Sequence, residues 1–214
     1  MRCALLYLSL TLIPLAQAAV ADWFPLHIGD TWEYDHETRD DSGHGPANPE
    51  IHLWRTEETI IGRWTIPEGT LIGSHLRVIK GTQPSWWQLK PVVLIRGDCL
   101  YRLSARDWDS AAHQLTANFR HSLDVGEIAP DLCFPLAVSK AWGAPASKAD
   151  DWKVEDVNQN IFHIRSISSY LGSGMTGDLW FEKGVGIIRE IEIHHGTLGE
   201  VRTRLVVFHH GKSR

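Results

Sequence analysis

Residues 186–209 of the chain read GIIREIEIHHGTLGEVRTRLVVFH. Apolar and polar side chains alternate at both ends of this stretch, which is the period of a half-buried β-strand. The segment His195–Gly199 separates the two alternating runs, and a short connection that contains glycine is typical of a hairpin loop. The stretch therefore predicts two antiparallel strands joined by a five-residue loop.

The register of this hairpin decides which residues share a face, because directly opposed residues of antiparallel strands point to the same side. The five-residue loop predicts one mostly apolar face and one charged face, with Ile193 opposite Val201, Ile191 opposite Thr203, Ile187 opposite Val207, Glu192 opposite Arg202, Glu190 opposite Arg204 and His194 opposite Glu200. Arg189 opposite Leu205 is the exception on the apolar face. A shift that placed Ile193 opposite Arg202 would mix the two faces, so we favour the first register.

The same alternation recurs along most of the chain. It is found in residues 31–38, 51–60, 71–80, 86–96 and 161–170. Turn-forming residues separate these runs at 40–43, 67–69, 81–84 and 172–174. Residues 104–115 alone have the spacing of a potential helix. Because there is no alternation of strands with helices, the pattern predicts an all-β, mainly antiparallel sheet, sandwich or open barrel with at most one or two short helices.

The composition belongs to an ordinary globular domain. The 214 residues include 26 acidic and 21 basic side chains, the net charge is −5, and 43% of the residues are hydrophobic. These values exclude a disordered acidic tail, a collagen-like repeat and a coiled coil. They also argue against a nucleic-acid partner, because neutralising phosphates requires an excess of Lys and Arg.

The first residues have the pattern of a signal peptide. Arg2 precedes an apolar run that ends at Leu15 and is too short to span a bilayer of about 30 Å. Sites of the A-x-A type end at Ala18 and Ala21, so a cleaved signal peptide is predicted over 1–21, with a buried N-terminal helix as the alternative. No cysteine follows either site. We therefore expect a periplasmic or secreted protein with neither a lipid anchor nor a transmembrane span.

Two cysteines remain after removal of the leader, Cys99 and Cys133. In an oxidising compartment such a pair is more often joined than free. A disulfide would close the loop between them and stabilise the fold by about 3–4 kcal/mol in the chain-entropy description. The alternative is two separate buried thiols, which behave as small hydrophobic side chains.

Residues 22–214 are predicted to form a single β-rich domain with one internal repeat. The segment 24–32 carries an FPL triplet, then an aliphatic residue and a tryptophan. The segment 134–142 repeats these five apolar types at the same spacing. The residues between the two segments do not repeat, so this short internal repeat indicates two similar segments within one domain.

The segment FPLHIGDTWEY (24–34) resembles the start of a family of exported bacterial domains of unknown function. The segments TIPEGT (65–70) and WFEKGVGII (180–188) and the second FPL block are similar to that family as well. The resemblance implies a β-rich fold distantly similar to LolA/LolB-like lipoprotein carriers, in which a curved sheet or half-barrel wraps an apolar cavity. Ser139 departs from the family pattern, where glycine is expected. The family supplies no catalytic residue.

Several patterns that can carry chemistry are incomplete. Residues 172–177 match G-x-G-x-x-G, but a strand-like run follows instead of the helix that a dinucleotide requires. Residues 156–167 begin like a calcium loop and lack its glycine and its final glutamate. The twelve histidines include the adjacent pair His194 and His195, which would point to opposite faces of a strand. We therefore predict no catalytic, metal-ligating or cofactor-binding residue and no cofactor.

Tryptophan is unusually frequent, with ten copies. Trp86 and Trp87 are adjacent in a predicted strand, so one ring enters the core while the other faces solvent or a cavity. Trp54 and Trp64 are further candidates for such a face. Exposed indoles stack on sugar rings or line apolar grooves. These four residues are the predicted ligand contacts, and packing against a curved sheet is the alternative.

These observations favour a non-enzymatic exported envelope protein that binds an apolar or lipid-like ligand on a concave sheet. The first alternative is a carbohydrate- or protein-binding module that uses exposed tryptophans. The second is a periplasmic hydrolase, since acids from distant strands can assemble a site that no local motif reveals. A protein partner is left open, because edge strands permit pairing without selecting a partner.

Overall fold

The computed structural model describes residues 20–40, 50–66, 69–84, 92–103, 130–143, 151–166, 175–194 and 199–211. Several sequence-based expectations fall outside these ranges: the leader up to residue 19, the potential helix over 104–115, most of the hairpin loop at 195–199, the turn at 172–174, and Trp86 and Trp87. Within the ranges, the helical residues form a single turn at 20–23, and no helix there is long and apolar enough to cross a membrane.

Twelve strands lie in the described part of the chain. They are β1 (Thr31–Asp40), β2 (Glu50–Ile66), β3 (Gly69–Gly81), β4 (Val92–Arg96), β5 (Cys99–Leu103), β6 (Leu132–Cys133), β7 (Ala141–Trp142), β8 (Trp152–Asn158), β9 (Ile161–Ser166), β10 (Met175–Glu182), β11 (Gly186–His194) and β12 (Glu200–His209). In β1, Trp32, Tyr34, His36 and Thr38 are buried and alternate with more exposed residues. The face of the sheet that carries these four side chains is called the inner face below.

All twelve strands belong to one antiparallel sheet in the order β6-β5-β4-β3-β2-β1-β12-β11-β10-β9-β8-β7. The chain thus forms two six-stranded meanders that meet where β1 pairs with β12. The far edges approach one another, since the Trp142 indole Nε1 donates to the Pro130 carbonyl at 3.0 Å. The predicted all-β antiparallel fold is confirmed, and the sheet curves into a nearly closed, barrel-like shape.

The two segments with the FPL triplet form similar turns before β1 and β7. The amide of Gly29 donates to the carbonyl of Ile60, and the amide of Ser139 donates to that of Val154. Both donors have positive φ, 93° at Gly29 and 67° at Ser139. Ser139 therefore occupies a conformation that glycine adopts more readily, which is the position where the sequence departs from the expected glycine.

Aromatic rings close the end of the inner face at which these two segments lie, called the lower end below. The Phe181 ring packs against Phe24 and Phe134 with centroids 5.8 and 5.4 Å away. A Cβ on Gly186 would overlap the Phe24 ring, so this position requires glycine. Trp32 is 2% exposed, and its indole Nε1 donates to the Val185 carbonyl at 2.7 Å. The lower end is therefore a packed apolar core.

The predicted register of the β11–β12 hairpin is wrong by one residue. Ile193 lies opposite Glu200 and Ile191 opposite Arg202, while Glu192 lies opposite Val201. Because side chains alternate between faces, the shift sends Ile191 and Ile193 to the outer face and turns both glutamates of β11 inward. Ile193 is accordingly 39% exposed, whereas Val201 is 4% exposed. In this register Glu190 faces the interior, where it pairs with Arg102 of β5.

Candidate functional site

Polar side chains occupy the inner face above the apolar core. These side chains come from five regions that are distant in the sequence. We call them the inner polar cluster: Tyr34, His36, Glu58, Arg102, Asp131 and Glu190. Arg102 is the only cation in this set. The curvature of the sheet brings these residues together, because β5 and β11 lie six strands apart in the sheet order.

Arg102 bridges the interior from β5 to β11. Its guanidinium donates from Nη1 and Nη2 to the two carboxylate oxygens of Glu190 at 2.9 and 2.6 Å, a bidentate pair. Its Nε donates to Asp131 Oδ1 at 2.8 Å, and its backbone amide donates to Asp131 Oδ2 at 2.6 Å. The planar guanidinium group of arginine is suited to forming two parallel hydrogen bonds with a carboxylate. The three side chains thus form one cross-brace.

The charges of this cross-brace are little exposed, with side-chain accessibilities of 21% for Arg102, 16% for Asp131 and 11% for Glu190. Burial by itself lowers the pKa of Arg102. The adjacent Glu190 and Asp131 outweigh that effect and hold the pKa well above its usual value. Arg102 is therefore a permanent cation in the interior, and it neutralises part of the surrounding negative charge.

His36 is held neutral in the same interior. Its Nδ1 lies 3.0 Å from the Thr203 hydroxyl and its Nε2 lies 2.8 Å from the Thr56 hydroxyl. Its ring stacks on Trp54, with centroids 4.9 Å apart. Burial lowers the pKa of His36 to about 4, although the charge of Glu190 acts in the opposite direction. The imidazole is thus an uncharged hydrogen-bonding group at neutral pH.

Glu58 and Tyr34 complete the cluster towards β2. Burial raises the pKa of Glu58, while the Ser74 hydroxyl, which donates to Glu58 Oε1 at 2.7 Å, opposes that rise. Burial also raises the pKa of Tyr34 well above its usual value, and the charge of Glu58 adds to the effect. The Tyr34 phenol is therefore protonated. Glu58 as a whole residue is half-buried, and the nearby charge of Arg102 also opposes the rise in its pKa.

The disulfide joins Cys99 and Cys133, as the sequence indicated, across directly opposed positions of β5 and β6. Their Cα atoms lie 4.1 Å apart. Asp131 precedes Cys133 by two residues, so the covalent link also holds Asp131 beside Arg102. The disulfide, which was predicted from the sequence, therefore lies close to the inner polar cluster.

Two of the four tryptophans predicted as ligand contacts lie within the described residues, and they occupy opposite faces. Trp54 is on the inner face and is 3% exposed, while Trp64 is on the outer face and is 40% exposed. The change of face occurs at a bulge, because Ile60 pairs with Ser74 and Gly62 with Gly73, which leaves Ile61 as an extra residue in β2. The contact role of all four tryptophans remains a prediction.

The incomplete motifs have ordinary structural roles where the structure describes them. Residues 156–160 end β8 and turn into β9, with Gln159 at φ 57°. Gly177, the last glycine of the G-x-G-x-x-G match, lies within β10. Within the described ranges, no group of three or more His, Cys, Asp or Glu side chains is placed to hold a metal ion.

The inner polar cluster itself was missed from the sequence. The one local signal was the misfit of Arg189 opposite Leu205 in the predicted hairpin, which marked that register as imperfect. Glu58 lies in a run already recognised as a strand, but a strand pattern does not tell which face is inside. The partner of Glu190 could not be found from spacing, because Arg102 is 88 residues away.

No known family model matches the chain, and no curated protein matches it in sequence. The solved structures that resemble it include two bacterial proteins. One is a "putative exported protein with YmcC-like fold" from Bacteroides fragilis, at 11% identity and a TM-score of 0.42, over 88% of this chain and 99% of the other. The second is a "putative lipoprotein" from Parabacteroides distasonis, at 12% identity and a TM-score of 0.39, over 87% and 97% of the two chains.

Proposed function

We propose that the protein is an exported, non-enzymatic binding protein that holds an amphipathic, lipid-like ligand on the inner face, above the apolar core. Export is supported by the signal-peptide pattern of residues 1–21 and by the disulfide between Cys99 and Cys133, a bond typical of oxidising compartments. The position of the ligand is supported by the distribution of exposed side chains on the inner face.

The observation that carries the proposal is an apolar inner-face residue that is open to solvent. Val78 lies opposite Thr56 and shares the inner face with it, yet Val78 is 37% exposed while Thr56 is 1% exposed. In the described residues, β4 pairs with β3 only as far as Gly73, so the upper part of β3 has no partner on that side. An apolar group could therefore contact Leu76 and Val78 without displacing the core.

A binding role also accounts better than catalysis for the state of the polar residues. A general acid or base works best with a pKa near the working pH. His36 has its pKa lowered to about 4 by burial, and both of its ring nitrogens contact threonine hydroxyls. Glu190 is committed to Arg102 by a bidentate pair. These groups are arranged to position a ligand rather than to exchange protons with it.

Native mass spectrometry of the mature protein from an exporting host, followed by organic extraction, tests the proposal. We expect a bound mass that extracts as a lipid. The variant Val78→Asp should lose that mass, because a carboxylate would replace the exposed apolar contact. Leu53→Asp is the matched control, since Leu53 is 64% exposed on the outer face of the same hairpin. A protein that carries no mass and binds no added alkyl compound would refute the proposal.

One observation favours the alternative of a carbohydrate-binding module. The Trp64 ring lies over Gly62 and Gly73 on the outer face, where a Cβ at either glycine would overlap it. Trp180, by contrast, is covered, because its ring stacks on His163 and lies under the Arg189 guanidinium. A glycan array would reveal this function as binding that Trp64→Ala abolishes and Trp180→Ala preserves.

A further inference from the structure

The predicted leader ends in two adjacent A-x-A sites, one at residue 18 and one at residue 21. Both have the small residues that a signal peptidase requires at the first and third positions before the cut. Cleavage at the first site gives a mature chain that begins at Ala19, whereas cleavage at the second gives one that begins at Asp22. The two products differ by three residues, and the middle one of these is Val20.

Val20 belongs to the apolar core at the lower end. Its side chain is fully buried, with 0% exposed, and it lies in the same cluster of buried residues as Phe24 and Phe134. Ala21 and Asp22, which follow it, are exposed. Burial of an aliphatic side chain stabilises only a molecule that keeps that side chain. The stability of the mature fold therefore depends on whether processing retains Val20.

The backbone of Val20 is also part of the fold. Its carbonyl accepts a hydrogen bond from the amide of Phe24 at 2.9 Å, within the single helical turn at 20–23. Phe24 is the first residue of the FPL segment, and its ring packs against Phe181. Removal of Val20 would take away the acceptor of the Phe24 amide together with the turn that leads into this segment.

Trp23 makes contacts that both products would keep. Its ring centroid lies 5.7 Å from that of Phe134 and 5.0 Å from that of Phe162, and its carbonyl accepts a hydrogen bond from the Gly184 amide at 2.8 Å. These contacts do not distinguish the two cleavage sites. The position of Val20 does, because cleavage at residue 21 would leave a cavity in the core where its side chain lies.

We infer that the leader is cleaved after Ala18, so that the mature protein begins at Ala19 and keeps Val20 in its core. A signal peptidase of the host would add water across the Ala18–Ala19 peptide bond, which leaves a carboxylate on Ala18 and an ammonium group on Ala19. This inference rests on the export that the proposed function includes, and it assigns the processing site.

Intact-mass spectrometry and N-terminal sequencing of the protein, exported by a bacterial host with its own leader, test the inference. We expect the N-terminal sequence AVADW. Ala18→Leu removes the small residue before the first cut and should abolish this product. Ala21→Leu is the matched control at the second site and should leave the start at Ala19 unchanged. Ala21 is exposed in the folded chain, so its substitution leaves the core intact.

A mature chain that begins with DWFPL, or an exported protein that keeps its leader, would refute the inference and leave export standing. A protein that keeps its leader and stays in the cytoplasm would instead refute export and the proposed function with it.

Urea unfolding of the disulfide-bonded chains 19–214 and 22–214 tests the physical reason separately. The equilibrium constant for unfolding should be about ten-fold or more larger for the shorter chain, or that chain should fail to fold, since a buried valine contributes stability of this order. Equal stability of the two chains would overturn the argument from Val20.

Discussion

Replacing Arg102 with methionine tests the cross-brace most directly, because methionine keeps much of the volume and removes the charge. The substitution leaves Asp131 and Glu190 facing the interior, with side-chain exposures of 16% and 11%. Removing one partner of a buried ion pair lowers the free energy of unfolding by about 3–5 kcal/mol, since the remaining charge stays uncompensated. Domains of this kind are stable by about 5–15 kcal/mol, so we expect a large loss.

Urea unfolding at pH 7, with the disulfide intact, measures this loss. Arg55→Met is the matched control, since Arg55 makes a similar bidentate pair with Asp35 on the outer face at 2.7 and 3.0 Å. We expect that variant to lose much less, because solvent screens surface pairs. Arg102→Met combined with Glu190→Met should recover part of the stability, since it removes an uncompensated charge. If Arg102→Met is no less stable than Arg55→Met, the cross-brace does not stabilise the fold.

Three further predictions concern the disulfide, the buried histidine and the second repeat segment. Replacing Cys99 and Cys133 together with serine should lower the unfolding free energy by about 3–4 kcal/mol in the same urea assay. His36 has a folded pKa of about 4 against 6.5 in the unfolded chain, so the unfolded state binds more protons between these values. Its contribution of about 3 kcal/mol should therefore be complete above pH 6.5 and be lost as the pH falls through 4, and NMR titration should show a neutral His36 ring at pH 5.5. Ser139→Gly should leave stability unchanged or raise it by up to about 1 kcal/mol, visible as a higher Tm, because glycine accepts the positive φ.

The strands themselves could be predicted because each produces a recognisable pattern of apolar and polar residues in the local sequence. Alternation identified β1, most of β2 and β3, and β9, and the turn-forming residues 81–84 marked the end of β3. The pairing of Cys99 with Cys133 followed from the compartment rather than from geometry. These features depend on residues close in sequence or on composition, so a single chain is enough to find them.

The faces of the strands were harder to predict, because one extra residue reverses them. Trp54 and Trp64 are separated by an even number of positions and would share a face in a regular strand. The bulge at Ile61 places Trp54 inside and Trp64 outside. The bulge allows the Trp64 ring to cover Gly62 and Gly73, an arrangement that only the paired strand reveals. Sequence spacing within β2 alone does not contain this information.

The register of β11 and β12 shows why the candidate site could not be predicted from the hairpin alone. The predicted register would have turned Ile191 and Ile193 inward, and burying two isoleucines is worth about 3–6 kcal/mol. It would also have placed Glu190 on the outer face and left Arg102 inside without its bidentate partner, a loss of about 3–5 kcal/mol. The gain from burying the two isoleucines and the loss of the ion pair are similar in size, so local hydrophobicity cannot decide the register. The observed register keeps the pair and still buries Val201, while Ile193 is exposed and Ile191 is half-buried on the outer face. The register of β11 therefore depends on the pairing of Glu190 with Arg102, a residue 88 positions away in the sequence, as well as on the hairpin's own side chains.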